Sequence, residues 1–132
     1  MPQILGIHAA RDAVSLEMRE IDTGRVLVSG RSKFPDAVAE NCEQDPAVWW
    51  QGLVDARNQA GGALGVSAIS AAAQQRGLVM LDGQGALVGS ALVGDYLAAR
   101  GEANALLDER TPNEWATACG SVPDSSFSIS KL

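Results

Sequence analysis

Side chains able to do chemistry are few in this 132-residue sequence, and their spacing excludes more than it offers. His8 is the single histidine, which removes most histidine-based catalysis and most metal constellations. Cys42 and Cys119 lie far apart and form no Cys-x-x-Cys pair, so neither a zinc site nor a redox motif is supported. They read as a loop thiol and a buried helix-end thiol. No Gly-x-x-x-x-Gly-Lys phosphate loop, His-Glu-x-x-His or Gly-x-Ser-x-Gly occurs. Gly83-x-Gly85 lacks the spacing and strand-to-helix setting of a dinucleotide fingerprint and reads as a turn. Ser130-Lys131-Leu132 matches a peroxisomal address.

The elements that must position any site begin with strands. Residues 3–9 are a short apolar run. Over 13–21, Val14, Leu16 and Met18 alternate with Ser15, Glu17 and Arg19, the period of a half-buried strand. Asp22-Thr23-Gly24-Arg25 is a hairpin-type turn, and a third strand runs from Val26 to Phe34, ended by Pro35. Residues 36–44 are polar and acidic, hence a loop. Asp45-Pro46 signals a helix start, with Trp49, Leu53, Ala56 and Ala60 on one stripe and Trp50 and Val54 widening it. Both tryptophans read as core residues packing on different neighbours. Gly61-Gly62 stops the helix, and 64–73 suits a buried strand of small residues crossing back onto the sheet. A second hairpin flanks 82–85. Asp95 suits the cap of a helix in which Ala99, Ala103, Leu106 and Leu107 share a face. Thr111-Pro112-Asn113-Glu114 is a capping box for a last helix that carries Trp115 and Ala118 inward and ends at Gly120.

Composition bounds the partners. Ten Lys and Arg stand against 16 Asp and Glu, a formal charge of −6, and Lys occurs only at 33 and 131 with the arginines scattered. Nucleic acid needs clustered cations, so none is expected as a partner. No run of 18 apolar residues exists, so no membrane span is expected. Met1-Pro2-Gln3 lacks the basic flank and apolar core of a secretory signal, and a one-domain cytoplasmic protein is expected.

The element order resembles the opening of an actin-like ATPase (ribonuclease H-like) domain: three antiparallel strands, a helix, a parallel strand, then an inserted hairpin and C-terminal helices. Specific strings resemble the N-terminal part of the FGGY-family carbohydrate kinases, most like the xylulokinases. Glu43-Gln44-Asp45-Pro46 with Trp49-Trp50 is similar to that family's first-helix entry. Gln74-Gln75-Arg76-Gly77 and Leu81-Asp82-Gly83-x-Gly85 are similar to its Gln-x-His-Gly segment and following hairpin. Ala91-Leu92-Val93-Gly94-Asp95 sits where the family has an apolar residue, Trp, Asn and Asp, and Gly120-Ser121-Val122-Pro123 and Ser130-Lys131-Leu132 match its next stretch. The collinear order covers essentially the whole chain.

The resemblance implies an α/β fold, a partial actin-like domain spanning 1–132 with no second domain, and ATP- and magnesium-dependent phosphorylation of a pentulose-type sugar. Such transfer rests on positioning and on neutralising phosphate charge. Carried over residue by residue, it implies sugar contacts at Gln75, Arg76 and Asp95 and a degenerate nucleotide-phosphate position at His8 and Arg11. The family's Gly-Ile-Asp-x-x-Thr is Gly6-Ile7-His8-Ala9-Ala10-Arg11 here. Imidazole replaces a carboxylate, and magnesium prefers oxygen. Arg11 replaces a compact hydroxyl donor, as a phosphate contact or as a solvated turn residue. Arg76 stands where the family has its sugar-binding His, and Val93-Gly94 where it has Trp-Asn. Plainer readings stand beside these: His8 as a satisfied strand-end histidine, Gln75 as a polar residue ending a strand, Asp95 as a helix cap.

Family members are several times longer, and the resemblance places the general-base Asp and the adenosine-holding domain outside these residues. No catalytic residue and no metal ligand is therefore expected here, nor binding of ATP and magnesium by this chain alone. Because family members continue past Ser-Lys-Leu into a helix, the peroxisomal match reads as a cut edge. The competing reading is a degenerate, non-catalytic relative acting as a binding or oligomerisation module. In the actin-like order the strand at 64–73 lacks its later parallel neighbour, so an open apolar edge is expected, and with it a homo-oligomer.

Overall fold

A computed structural model describes residues 2–34, 42–62 and 65–132. In chain order the elements are β1 (Gln3–Ala9), β2 (Ala13–Glu20), β3 (Val26–Lys33), β4 (Glu43–Gln44), α1 (Ala47–Gln59), β5 (Ala68–Ala73), β6 (Ala91–Leu92), α2 (Arg100–Glu109) and α3 (Pro112–Cys119). Single 3-10 turns at Leu97–Ala99 and Ser128–Lys131 complete them. Pro35, most of the expected loop at 36–44 and the start of the expected strand at 64 fall outside the described residues. The contacts divide the chain into two units, one holding β1–β3, α1 and β5, the other β4, β6, α2 and α3.

In the first unit the strand order is β3-β2-β1-β5, antiparallel except for the parallel β1–β5 pair. This is the expected meander with a crossover strand. Period-2 alternation sends Leu5, Ile7, Leu16, Met18 and Val28 to the face that meets Ala56 and Ala60 of α1. Leu16 is 2% exposed and Val14 1%, each burial contributing on the order of 1.5–3 kcal/mol. Gly30 is what lets β3 and α1 meet: a Cβ there would stand 1.9 Å from the Ala56 carbonyl oxygen. The Asp45 carboxylate accepts the Ala47 N–H at 2.9 Å, so the helix-start signal works one residue before the first helical turn.

Two expectations for this unit are corrected. Trp50 is 71% exposed rather than core, because α1 is covered on one side and adjacent helical positions diverge by about 100°. All six residues of β5 are exposed rather than buried; the strand starts only at Ala68, and β1 is its sole strand neighbour among the described residues.

In the second unit, β4 pairs antiparallel with β6, so residues 43–44 are strand and not loop. The hairpin over 78–88 is present, with Leu81 opposite Leu87 and the Asp82 N–H donating to the Ala86 carbonyl at 2.9 Å. Ala99, at the end of the 3-10 turn that leads into α2, and Ala103 are buried and Leu106 and Leu107 half-buried, as the stripe predicts. The α3 capping box forms in both directions, and Gly120 closes the helix at φ 76°. Ala118 is exposed rather than inward, because α3 offers only Trp115 to the rest of the unit; its indole N–H donates to the Leu106 carbonyl at 2.9 Å. Cys119 is exposed too, its Sγ donating within its own helix end at 3.3 Å to Trp115. Among the described residues no helix is long and apolar enough to cross a membrane.

Candidate functional site

The second unit brings two of the expected sugar-contact positions together, through one backbone bridge and the segment that covers it. Leu78 and Leu92 exchange backbone hydrogen bonds at 2.9 Å in both directions. That bridge is isolated, and two residues away on each chain Arg76 and Gly94 both leave extended backbone at positive φ. Asp95 follows directly. Arg76 holds φ 65°, a left-handed conformation uncommon outside glycine, at the point where the chain turns into the hairpin.

The segment 124–131 then wraps both positions. The Arg76 guanidinium lies 3.5 Å from the Asp124 carboxylate, donates to the Ser126 hydroxyl and stacks over the Phe127 ring at 4.2 Å. Ser125 Oγ donates to the Asp95 carboxylate, and Cys42 Sγ donates to the Asp95 carbonyl at 3.2 Å. Asp124 accepts both the N–H and the hydroxyl of Ser126. Those bonds, with Arg76 and Lys131 beside them, hold its carboxyl below the ordinary aspartate value of 3.8. Lys131 Nζ donates to the Arg76 carbonyl at 2.7 Å and to the Gly94 carbonyl at 2.8 Å. Burial pulls its pKa below the ordinary lysine value. Ser130 Oγ beside it is buried without a hydrogen-bond partner, and nothing in the structure explains it.

Asp95 is thus not the helix cap that its spacing suggested: Tyr96 and Ala99 occupy the two cap positions without side-chain bonds, and the Asp95 carboxylate is held by Ser125 instead. Gln75 is exposed at the mouth of the Arg76 turn. The cluster's other members, Asp124, Ser125, Phe127 and Lys131, carry no motif signal of their own beyond the Ser130-Lys131-Leu132 match. Within that tripeptide Ser130 and Lys131 are folded in, 1% and 7% exposed, while Leu132 is 81% exposed.

His8 and Arg11 belong to the first unit. His8 is exposed on the sheet face away from α1, where a concavity of about 810 Å³ is lined by Ile4, Gly6, His8, Ser15, Glu17 and Ser70 among others. The turn after β1 is tied by Gln74, whose side-chain N–H donates to the Ala10 carbonyl at 3.3 Å. The carboxylate beside this turn is Asp12, engaged with Arg31 at 3.0 Å. An imidazole, two methyl side chains and a guanidinium at 8–11 offer magnesium no side-chain oxygen, the ligand type that ion selects.

Comparison with known proteins bears on both units. No family model matches the chain. The xylulose kinase of Streptomyces coelicolor is 33% identical over 98% of this chain, which spans 27% of that relative. A xylulose kinase from an Arthrobacter species is 38% identical over 93 residues, 70% of this chain and 93% of that sequence. The crystal structure of xylulose kinase from Bifidobacterium adolescentis superposes with a TM-score of 0.91 at 26% identity, over 98% of this chain and 28% of that one. The Plasmodium falciparum glycerol kinase solved with ADP shares the fold alone, at TM-score 0.81 and 15% identity over 99% of this chain and 28% of its own.

Proposed function

The chain belongs to the xylulose kinase family of FGGY carbohydrate kinases, an actin-like α/β fold present here in part, and on that premise we propose that it supplies the sugar-facing portion of such a kinase. In this reading, residues 1–132 form the N-terminal portion of the first actin-like domain of a cytoplasmic enzyme. The substrate class is a pentulose-type sugar phosphorylated at the expense of ATP. Gln75, Arg76 and Asp95 hydrogen-bond its hydroxyls. The carboxylate of Asp95 accepts, the carboxamide of Gln75 donates or accepts, and Arg76 donates.

One observation supports this most: the 124–131 segment draws Arg76 and Asp95 into one hydrogen-bonded cluster, at the two positions where family resemblance puts sugar contacts. Arg76 in place of a histidine keeps a donor but adds a charge, which Asp124 balances.

A second part of the proposal concerns turnover. His8 stands where a kinase of this family uses a carboxylate, and a base for the sugar hydroxyl is not among the assigned residues. The chain by itself is a sugar-side module and does not transfer phosphate. A coupled assay of ADP release with magnesium-ATP and D-xylulose tests this on the 132-residue chain. No sugar-dependent ADP above the blank is expected; sugar-dependent turnover would overturn the non-catalytic reading.

A specific observation also favours the module acting through self-association. Among the described residues strand β5 pairs only with β1, and its six residues are exposed, Ile69 at 62%. A second copy aligned along this edge would satisfy its backbone groups.

A further inference from the structure

Resting on the sugar-site reading, the geometry points to Lys131 as a positioning residue that fixes the separation of the two sugar-contact segments. The resemblance gives Ser130-Lys131-Leu132 a matching position but no role, yet Lys131 is 7% exposed and reaches both segments at once. Its ammonium donates to the Arg76 carbonyl at 2.7 Å and the Gly94 carbonyl at 2.8 Å. Those two residues lie two positions beyond the reciprocal Leu78–Leu92 bonds, an isolated bridge past which both chains turn to positive φ. Beyond that bridge no backbone hydrogen bond among the described residues joins 75–77 to 93–95. A single cation between two carbonyl oxygens replaces the missing rung with charge-assisted bonds.

Burying an ammonium is unfavourable unless its donors are matched, so an apolar side chain would fill this space at lower cost. The cation is useful here because carbonyl oxygens from two segments converge on it. The same segment carries Ser125 to the Asp95 carboxylate and Ser126 and Phe127 to the Arg76 guanidinium, so movement of Lys131 moves the side-chain contacts as well. Lys131 acts through Arg76 and Asp95 and does not itself touch the sugar.

The test compares the full chain with Lys131→Met and Lys131→Arg, by amide hydrogen exchange and by D-xylulose titration followed in amide shifts. In Lys131→Met the Leu78 and Leu92 amides should exchange roughly tenfold faster and D-xylulose affinity should fall roughly tenfold, while Leu5 and Leu16 in the sheet unit are unchanged. Lys131→Arg keeps a cation and should recover most of both. A space-filling role predicts the opposite, since methionine replaces the volume. Unchanged exchange in Lys131→Met, or unchanged affinity, overturns the positioning role. Should that variant not fold, Lys131→Gln, which retains a donor, is read by the same criteria. Exchange needs no sugar, so faster exchange beside a wild-type chain that shows no response to D-xylulose overturns the sugar-site reading and the positioning role with it, whereas unchanged exchange overturns the clamp alone.

Discussion

Gly30→Ala is expected to lower stability by about 3 kcal/mol, at the upper end of what overpacking costs. The added Cβ would lie 1.9 Å from the Ala56 carbonyl oxygen and 2.8 Å from its carbon, and both are backbone atoms of α1 that cannot swing aside. The helix must lift instead, which withdraws Ala56 and Ala60 from Leu5 and Leu16. Gly52→Ala is the instructive contrast. Its Cβ would meet the Phe34 ring edge at 2.7 Å, and a side chain can shift where a backbone cannot. Urea unfolding followed by tryptophan fluorescence reads both, since Trp49 on α1 is half-buried. A Gly30→Ala midpoint indistinguishable from wild type would mean that α1 does not sit against β3 as described.

The second large effect concerns the open edge. If β5 pairs with a second copy, the chain at micromolar concentration should have a mass near twice its 13.7 kDa. Ile69→Lys should return it to the monomer. A two-fold interface brings β5 against its own copy antiparallel, and two lysines on one short edge repel each other and disfavour further pairing. Because Ile69 is 62% exposed, the substitution should leave folding within about 0.5 kcal/mol of wild type. Sedimentation equilibrium decides: a wild-type monomer, or an Ile69→Lys dimer, removes β5 as the contact.

How far the sequence alone reaches is seen in particular residues. The alternation of Val14, Leu16 and Met18 was enough to place β2, because one buried face imposes a period that composition cannot mimic. The box at Thr111 and Glu114 located α3 to the residue, since its bonds are local. What depends on distant partners was not legible. The two-residue strands β4 and β6 exist only because they pair with each other, and two residues carry no periodicity. Asp95 looked like a cap because aspartate before a helix usually is one; Ser125, 30 residues later, claims its carboxylate instead. The tryptophans of α1 could not reveal which of them faces solvent until β2 and β3 had claimed one side of the helix. In the candidate site, resemblance proposed Gln75, Arg76 and Asp95, while Asp124 and Lys131 emerged only from the fold that carries them back to Arg76.

The central claim, that this family member presents its sugar-contact residues from the 75–95 segment, held in place by 124–131, is tested most directly by titrating the isotopically labelled chain with D-xylulose and following its backbone amides. The account predicts saturable shifts at Gln75, Arg76, Gly77 and Asp95, with Gly6 to Arg11 unmoved. Shifts confined to the turn at 8–11, or none at any amide up to the solubility of the sugar, would contradict it.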